Sequence, residues 1–144
     1  MASELDFKVV IGQKDGKTHQ QKLESTNAEA LMRKRIGETV SGDALGFPGY
    51  EFQITGGSDN AGFPLRKGIL AARKRILAQK GVGISGKTRN KNKQKGLYRR
   101  RTVSGEMIST GTSQINMKVT KVGPNPLGGA PAAEEKPEAA PKAE

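Results

Sequence analysis

Apolar and polar side chains alternate over the first part of the chain, as they do along a half-buried β-strand. Every second position over 5–11 is apolar, namely Leu5, Phe7, Val9 and Ile11. Asp15-Gly16 follows, a dipeptide that tolerates the positive φ angles of a tight turn. A return strand is expected at 18–23, so the pattern predicts an N-terminal β-hairpin.

Two later segments show the same alternation. Tyr50, Phe52 and Ile54 form one set of apolar positions, and Ile115, Met117 and Val119 form the other. A shorter strand is predicted over 103–108, broken near Gly105. The intervening stretch 56–64 is rich in glycine and ends in proline, so it is predicted to be a loop.

Helical signals are weaker. Thr26 and Glu29 have the spacing of a capping box, which predicts a helix of two or three turns that carries Leu31 and Met32 and ends at Gly37. The segment 69–80 fits either a helical apolar stripe or, over 73–78, a strand. Intrinsic propensity favours the helix for this segment.

These elements predict a mainly β fold: a small antiparallel β-barrel-like domain with one or two short helices. The predicted domain covers residues 1–123. Residues 124–144 consist largely of Ala, Pro, Glu and Lys, and Leu127 is their only large apolar residue. Such a segment cannot bury enough surface to offset its ordering entropy, so it is predicted to be a disordered acidic tail.

Charge is distributed very unevenly along the 144 residues, whose formal net charge is +11. Residues 60–123 contain 16 Lys and Arg but one acidic residue, Glu106. A block of unbalanced cations repels itself until an anion neutralises it, and one this long suits a polyphosphate backbone. The sequence therefore predicts a protein that binds nucleic acid, with no small-molecule substrate and no cofactor.

The chain contains no cysteine, so it has neither disulfides nor a thiolate metal site. No apolar run is long enough to span a membrane, and no signal peptide is visible, so a cytoplasmic protein is expected. His19 is the only histidine, and no catalytic triad or metal site can be assembled around it. We therefore expect a protein that is not an enzyme.

The densest cationic run is 87–101, where eight of fifteen residues are basic and Tyr98 is interleaved. Tyr98 could stack on an unpaired base, although a single tyrosine is equally often part of a core. With the basic residues upstream of this run, the predicted RNA contacts are Arg66, Lys67, Arg73, Lys74, Arg75, Lys87, Arg89, Lys91, Lys93, Lys95, Tyr98, Arg99, Arg100 and Arg101.

Residues 81–88 match the phosphate-binding pattern G-x-x-x-x-G-K-[ST]. The context opposes a nucleotide hydrolase, because 89–95 contains no apolar residue with which a following helix could pack. No Asp follows Asp59 that could ligate a metal ion from a later strand. A small nucleotide-binding protein therefore stands as an alternative, as does a free-standing nucleic-acid-binding regulator.

Three motifs, taken in order, resemble the ribosomal protein S6e family in its short archaeal form. They are Gly-Gly-Ser-Asp-x-x-Gly-Phe-Pro at 56–64, Gly-Leu-x-Arg-Arg-x-Thr-Val-x-Gly at 96–105, and Gln-Ile-Asn-Met-Lys-Val at 114–119. The resemblance covers residues 5–123. It implies a β-barrel-like domain on small-subunit ribosomal RNA, beside neighbouring ribosomal proteins, with 69–80 rich in strand.

The resemblance also bears on individual positions. The basic residues that best match the family pattern are Arg66, Arg73, Arg75, Arg99, Arg100 and Arg101. Eukaryotic members add a long basic C-terminal helix with regulatory phosphorylated serines, which this chain lacks, so no such regulation is implied. The loop 81–95 departs from the family in having Gly, Lys and Asn where Pro and Arg are expected.

Overall fold

A computed structural model describes residues 6–23, 25–88, 90, 92–124 and 127. These residues form seven strands and one short α-helix, with a single-turn 3₁₀ helix at Asp43–Leu45. In chain order the elements are β1 (Phe7–Gly12), β2 (Thr18–Leu23), α1 (Ser25–Glu29), β3 (Thr39–Ser41), β4 (Glu51–Asp59), β5 (Arg73–Ala78), β6 (Arg99–Ser104) and β7 (Thr112–Lys121). The prediction of a mainly β fold is confirmed.

The strands form one larger sheet and one smaller ladder. The five-stranded sheet has the order β2-β1-β7-β4-β3, and β5 pairs with β6 alone. β1 and β7 are parallel, whereas the other pairs are antiparallel, so the sheet is mixed and the purely antiparallel prediction is wrong. The strand ladders among the described residues do not close, and a barrel-like arrangement stays a prediction.

The N-terminal hairpin is confirmed. β1 and β2 pair in register from Phe7 opposite Leu23 to Gly12 opposite Thr18. The turn contains Gly16 at a φ of 81°, a conformation that glycine adopts without strain. Leu5, the first residue of the predicted alternation, lies outside the described residues.

The core lies on one face of the five-stranded sheet. The apolar positions that alternation marked on β1, β4 and β7 are all buried, and Leu31, Leu45 and Ile108 join them. The Tyr50 and Phe52 rings stack at 5.7 Å with an interplanar angle of 7°, and the Phe47 ring meets Phe52 edge-on, also at 5.7 Å. Alternation thus located the core strands correctly.

The predicted loop at 56–64 is wrong over its first four residues, because β4 continues to Asp59. A bulge between Ile54 and Gly56 adjusts the register against β7. A side chain at position 57 has no room, since a Cβ there would lie 2.2 Å from the Gln114 carbonyl oxygen. The glycines therefore permit close strand approach here rather than ending the strand.

The predicted helix over 26–37 is also wrong in length. α1 begins at Ser25, one residue before the predicted cap, and ends at Glu29. Arg33 has a φ of 65°, and its amide donates to the Ile108 carbonyl at 3.0 Å. The chain leaves the helix because its backbone pairs with 106–108, a long-range partner that the local sequence does not reveal.

The helix favoured for 69–80 is absent. Residues 73–78 form β5, as the family resemblance implied, because each pairs with a residue of β6. This pairing overrides the helical propensity of the segment. The strand predicted over 103–108 is wrong over most of its length, because β6 spans Arg99–Ser104 and overlaps it only at 103–104.

The predicted tail lies largely outside the described residues. Leu127 is described and packs, partly buried, against the core. Its carbonyl accepts a hydrogen bond from the Gln13 side-chain amide at 3.2 Å. The chain therefore contacts the sheet beyond residue 123, and the disorder predicted for 128–144 stays a prediction.

Candidate nucleic-acid interface

The β5–β6 ladder carries cations on both of its faces. Directly paired residues share a face, so Arg75 and Arg100 lie on one side with Leu77, while Arg99 and Arg101 lie on the other with Ile76. Val103 is the one apolar residue of these two strands that is fully buried. Because the core covers neither face of the ladder completely, charged side chains can project from both faces.

Backbone hydrogen bonds attach this ladder to the rest of the molecule at the end of β6. The Ser104 amide donates to the Pro64 carbonyl at 2.9 Å, and the Arg66 amide donates to the Ser104 carbonyl at 3.1 Å. The next residue, Gly105, passes close to Ala71. A Cβ on Gly105 would lie 2.6 Å from the Ala71 carbonyl oxygen. The ladder is thus held at the end of β6, and its far end carries the described turns within 79–88 and 92–98.

An ion pair with a buried carboxylate fixes the first arginine of β5. The carboxylate of Asp59, 6% exposed, accepts a hydrogen bond from Arg73 Nε at 2.5 Å. This bond lowers the pKa of Asp59 below its ordinary value and outweighs the effect of burial. The same contact raises the pKa of Arg73. The guanidinium also lies 5.3 Å from the centre of the Phe63 ring.

Glu106, the one acidic residue of 60–123, is buried as well. Its Oε2 accepts a hydrogen bond from the Gly68 amide at 2.8 Å, and its Oε1 lies 3.5 Å from Arg35 Nη1. Asp59 and Glu106 are therefore both buried, and each carboxylate has a partner. Their burial leaves the exposed side chains of residues 60–123 without a single negative charge.

The turns at 81–88 do not form a nucleotide-binding loop. Ile84 is buried, and its amide donates to the Gly81 carbonyl at 3.0 Å. The Thr88 hydroxyl, which would ligate a metal ion in such a loop, donates to the Asn92 carbonyl at 3.2 Å. Lys87 and Lys93 form an isolated antiparallel bridge, and no helix follows among the described residues. The phosphate-loop pattern is therefore a chance match.

The structure places most predicted contacts at the surface but not all of them. Two members are held close to the fold: Arg73 is exposed but bound to Asp59, and Arg66 is partly buried beside Gly81, where a Cβ would come within 3.2 Å of Nη1. Arg99 is half-buried, and Arg89 and Lys91 lie outside the described residues. The exposed members are Lys67, Lys74, Arg75, Lys87, Lys93, Lys95, Tyr98, Arg100 and Arg101.

Sequence reasoning missed two contributors to this surface. Val82 is 54% exposed and lies beside Pro64 and the arginines of β6. Phe63, which the sequence analysis did not include among the contacts, also lines this cleft. An apolar residue between two glycines, as in Gly81-Val82-Gly83, is a signal that could have indicated exposure.

Other kinds of site find no support in the described part of the chain. No group of three metal-ligating side chains is brought together there. His19 lies edge-on to the Phe47 ring at 6.3 Å, next to the core. None of the described helices is long and apolar enough to cross a membrane.

Comparison with known proteins decides the family. The family model for ribosomal protein S6e matches residues 7–131, most of the chain. The chain belongs to the ribosomal protein S6e family. The resemblance inferred from its three motifs is therefore confirmed, and with it the prediction of a ribosomal protein of the cytoplasm that acts in translation and is not an enzyme.

Archaeal relatives of this family match over nearly their whole length. The small ribosomal subunit protein eS6 of Methanococcus maripaludis strain C6 is 44% identical over 127 residues, covering 87% of this chain and 95% of the relative. The protein of that name from Archaeoglobus fulgidus is 41% identical, with 85% and 93% covered. The Natronomonas pharaonis protein is 40% identical, with 82% and 88% covered.

Proposed function

We propose that the chain is a structural constituent of the small ribosomal subunit that binds ribosomal RNA through the exposed cations of 66–101, here called the cationic surface. The observation that carries this proposal is the inward burial of Asp59 and Glu106, which leaves the surface purely positive. Its archaeal relatives are named as small-subunit proteins, which supports the same assignment.

The chemistry of the surface fits a phosphate backbone. Arginine guanidinium groups bind phosphate oxygens through paired N–H donors, while lysines act as mobile point charges. Arg100 and Arg101 project from opposite faces of β6, so the ladder can contact two RNA segments at once. Neutralisation by RNA would relieve the repulsion among these cations. The edges of the five-stranded sheet would remain available for contact with neighbouring ribosomal proteins.

Salt dependence tests the proposal directly. The full chain should bind small-subunit ribosomal RNA with an affinity that falls steeply with salt, by a slope of about −0.7 to −0.9 per phosphate neutralised. The triple variant Arg99→Ala, Arg100→Ala, Arg101→Ala should weaken binding and flatten this slope. The measurement is a filter-binding titration over a range of salt concentrations.

A matched variant controls for net charge. Lys8, Lys14 and Lys17 are exposed on the N-terminal hairpin, so replacing all three by Ala removes the same charge from the five-stranded sheet instead of the ladder. The slope should then change far less than in the arginine variant. Equal effects of the two triple variants would show that only the overall charge matters and that the cationic surface is misplaced.

Salt washing of ribosomal subunits separates the proposal from a role outside the ribosome. A docked subunit protein buries its cations against folded RNA and should largely remain with purified small subunits after a high-salt wash. A free regulator held by surface charge alone would be removed, because salt screens exposed ion pairs. Loss of nearly all the protein in the wash would contradict the ribosomal role.

A further inference from the structure

A preformed cleft opens on the cationic surface. It lies between the turn at Gly62–Pro64, the Val82-Gly83 turn and strand β6, and it has a volume of about 370 Å³. This volume is within the range of small-ligand pockets, about 300–1,000 Å³. We call it the Phe63 cleft.

The apolar side of the Phe63 cleft is held rigid by contacts already described. Arg73, fixed by the buried carboxylate of Asp59, lies over the Phe63 ring. The opposite wall is equally close-packed, since a Cβ on Gly83 would lie 2.9 Å from Pro64 Cγ. Phe63, Pro64 and Val82 thus present an ordered apolar surface before any partner binds.

The polar side carries three arginines and no carboxylate. Arg75, Arg100 and Arg101 line the cleft together with Thr102. Neither Asp59 nor Glu106, the acids nearest in sequence among the described residues, is available to pair with these arginines, because both are buried and already have partners. An occupant should therefore combine a flat apolar body with negative charge attached to it.

We propose that the Phe63 cleft binds an unpaired nucleotide of the RNA, with its base against Phe63 and Val82 and its phosphates on Arg75 and Arg100, which share one face of the ladder. Every base has a planar face that stacks on aromatic and guanidinium groups, and the attached phosphate supplies the charge. An acidic peptide would satisfy the arginines but offers no planar apolar body. The inference rests on the proposed function, since it assigns a base-binding subsite within the same surface.

The test compares RNA that has bases with RNA that lacks them. The full chain is titrated by fluorescence anisotropy with a single-stranded oligoadenylate and with an abasic oligonucleotide of the same length and charge. Stacking of one base should make the oligoadenylate bind about tenfold more tightly. Phosphate contacts are common to both probes, so this ratio isolates the base.

Two variants locate the effect in the cleft. Val82→Glu places a carboxylate in the cleft at an exposed position and should abolish the preference for bases. Phe63→Leu keeps apolar volume but removes the ring, and should reduce the ratio as well. Leu70→Glu is the matched control, because Leu70 is 78% exposed and does not line the cleft. Its ratio should stay near the value for the unmodified chain.

The outcomes separate failure of this inference from failure of the proposed function. Equal affinity of the unmodified chain for both probes, or a ratio unchanged in both cleft variants, would overturn the base-binding subsite while leaving RNA binding intact. No affinity for either probe or for ribosomal RNA would overturn both proposals.

Crosslinking inside the ribosome distinguishes RNA from a protein occupant. The chain has no cysteine, so Val82→Cys creates a unique attachment point for a photoreactive group. After incorporation into small subunits, this group should crosslink to RNA. Crosslinks to a neighbouring ribosomal protein alone would overturn the inference and assign the cleft to that protein.

Discussion

Six of the twelve residues in β5 and β6 are basic, whereas four of the thirty-four residues in the five-stranded sheet are. Burial follows the same division. The strands β1, β4 and β7 place apolar side chains inward at alternate positions, while Leu77 of β5 is 63% exposed. The two parts of the chain thus differ in both charge and packing.

Because of this difference, we expect the sheet to supply most of the stability and the ladder to supply the charges for binding. A fully buried Leu, Ile or Phe side chain contributes about 1.5–3 kcal/mol to folding, and the sheet holds most such residues among those described. The ladder adds Val103, and the turn that follows β5 adds Ile84. Because the sheet supplies the stability, the ladder can carry charges that repel one another until RNA binds.

The two parts meet at a few buried contacts. Asp59 ends β4 of the sheet and binds Arg73 of β5, and the Ser104 amide at the end of β6 donates to the Pro64 carbonyl. These contacts position the ladder without giving it a large core of its own. Substitutions in the sheet, at the junction and in the ladder should therefore have effects of decreasing size on stability.

The largest effect is expected in the sheet. Phe52 is fully buried and stacks on Tyr50, so Phe52→Ala should lower the free energy of unfolding by about 3–5 kcal/mol. Urea denaturation measures this loss. Phe52→Leu is a milder truncation that keeps the loss measurable if the alanine variant does not fold.

The matched control lies on the cationic surface. Tyr98 is 59% exposed, so Tyr98→Ala should change the free energy of unfolding by no more than about 0.5 kcal/mol. Comparable losses for Phe52→Ala and Tyr98→Ala would show that the ladder contributes to stability as much as the sheet does.

An intermediate effect is expected at the junction. Asp59→Asn removes the charge that holds Arg73, and hydrogen bonds to charged groups contribute about 1.5–3 kcal/mol. Arg73 is half exposed and regains water, so the loss should lie toward the lower end of this range. The variant should be less stable than the unmodified chain at neutral pH.

The pH dependence of this difference identifies the carboxylate as its source. Since the pKa of Asp59 is lower in the folded than in the unfolded chain, its contribution is present above the unfolded value of about 3.9 and is lost as the pH falls through the folded value. The stability gap between the two proteins should therefore shrink in acid. A gap that stays constant to low pH would refute an ionic origin.

The sheet was predictable where local patterns decide structure. Alternation over β1, β4 and β7 reports which residues face the core, because a strand repeats every two residues. It could not report that β1 and β7 pair in parallel, since their partners are far apart in sequence. For the same reason the helix predicted to reach Gly37 ends at Glu29, where the chain turns toward 106–108.

The candidate site was predictable in its charge but not in its geometry. Unbalanced lysines and arginines mark a cationic segment whatever its fold, so the exposed members at 74–75 and 100–101 were found from composition alone. The ion pair of Arg73 with Asp59, the position of Arg66 beside Gly81, and the apolar wall formed by Phe63 and Val82 depend on tertiary packing. No local pattern encodes those contacts.

The smallest effect on stability is expected within the ladder itself. Arg100 and Arg101 are exposed on opposite faces of β6, so the double variant Arg100→Ala, Arg101→Ala should change the free energy of unfolding by no more than about 0.5 kcal/mol per site. At low salt the variant should become the more stable protein, because removing two like charges relieves repulsion that dilute counterions do not screen.

Urea denaturation of both proteins at low and high salt measures this reversal, with Lys8→Ala, Lys14→Ala as the control. Residues 1–59 contain more acids than bases, so that control should gain no stability at low salt. A loss above about 1 kcal/mol per arginine would instead mean that these side chains support the fold. The gain at low salt is expected because the cations of the ladder repel one another until an anion binds. The buried positions of the sheet are apolar and have no such repulsion.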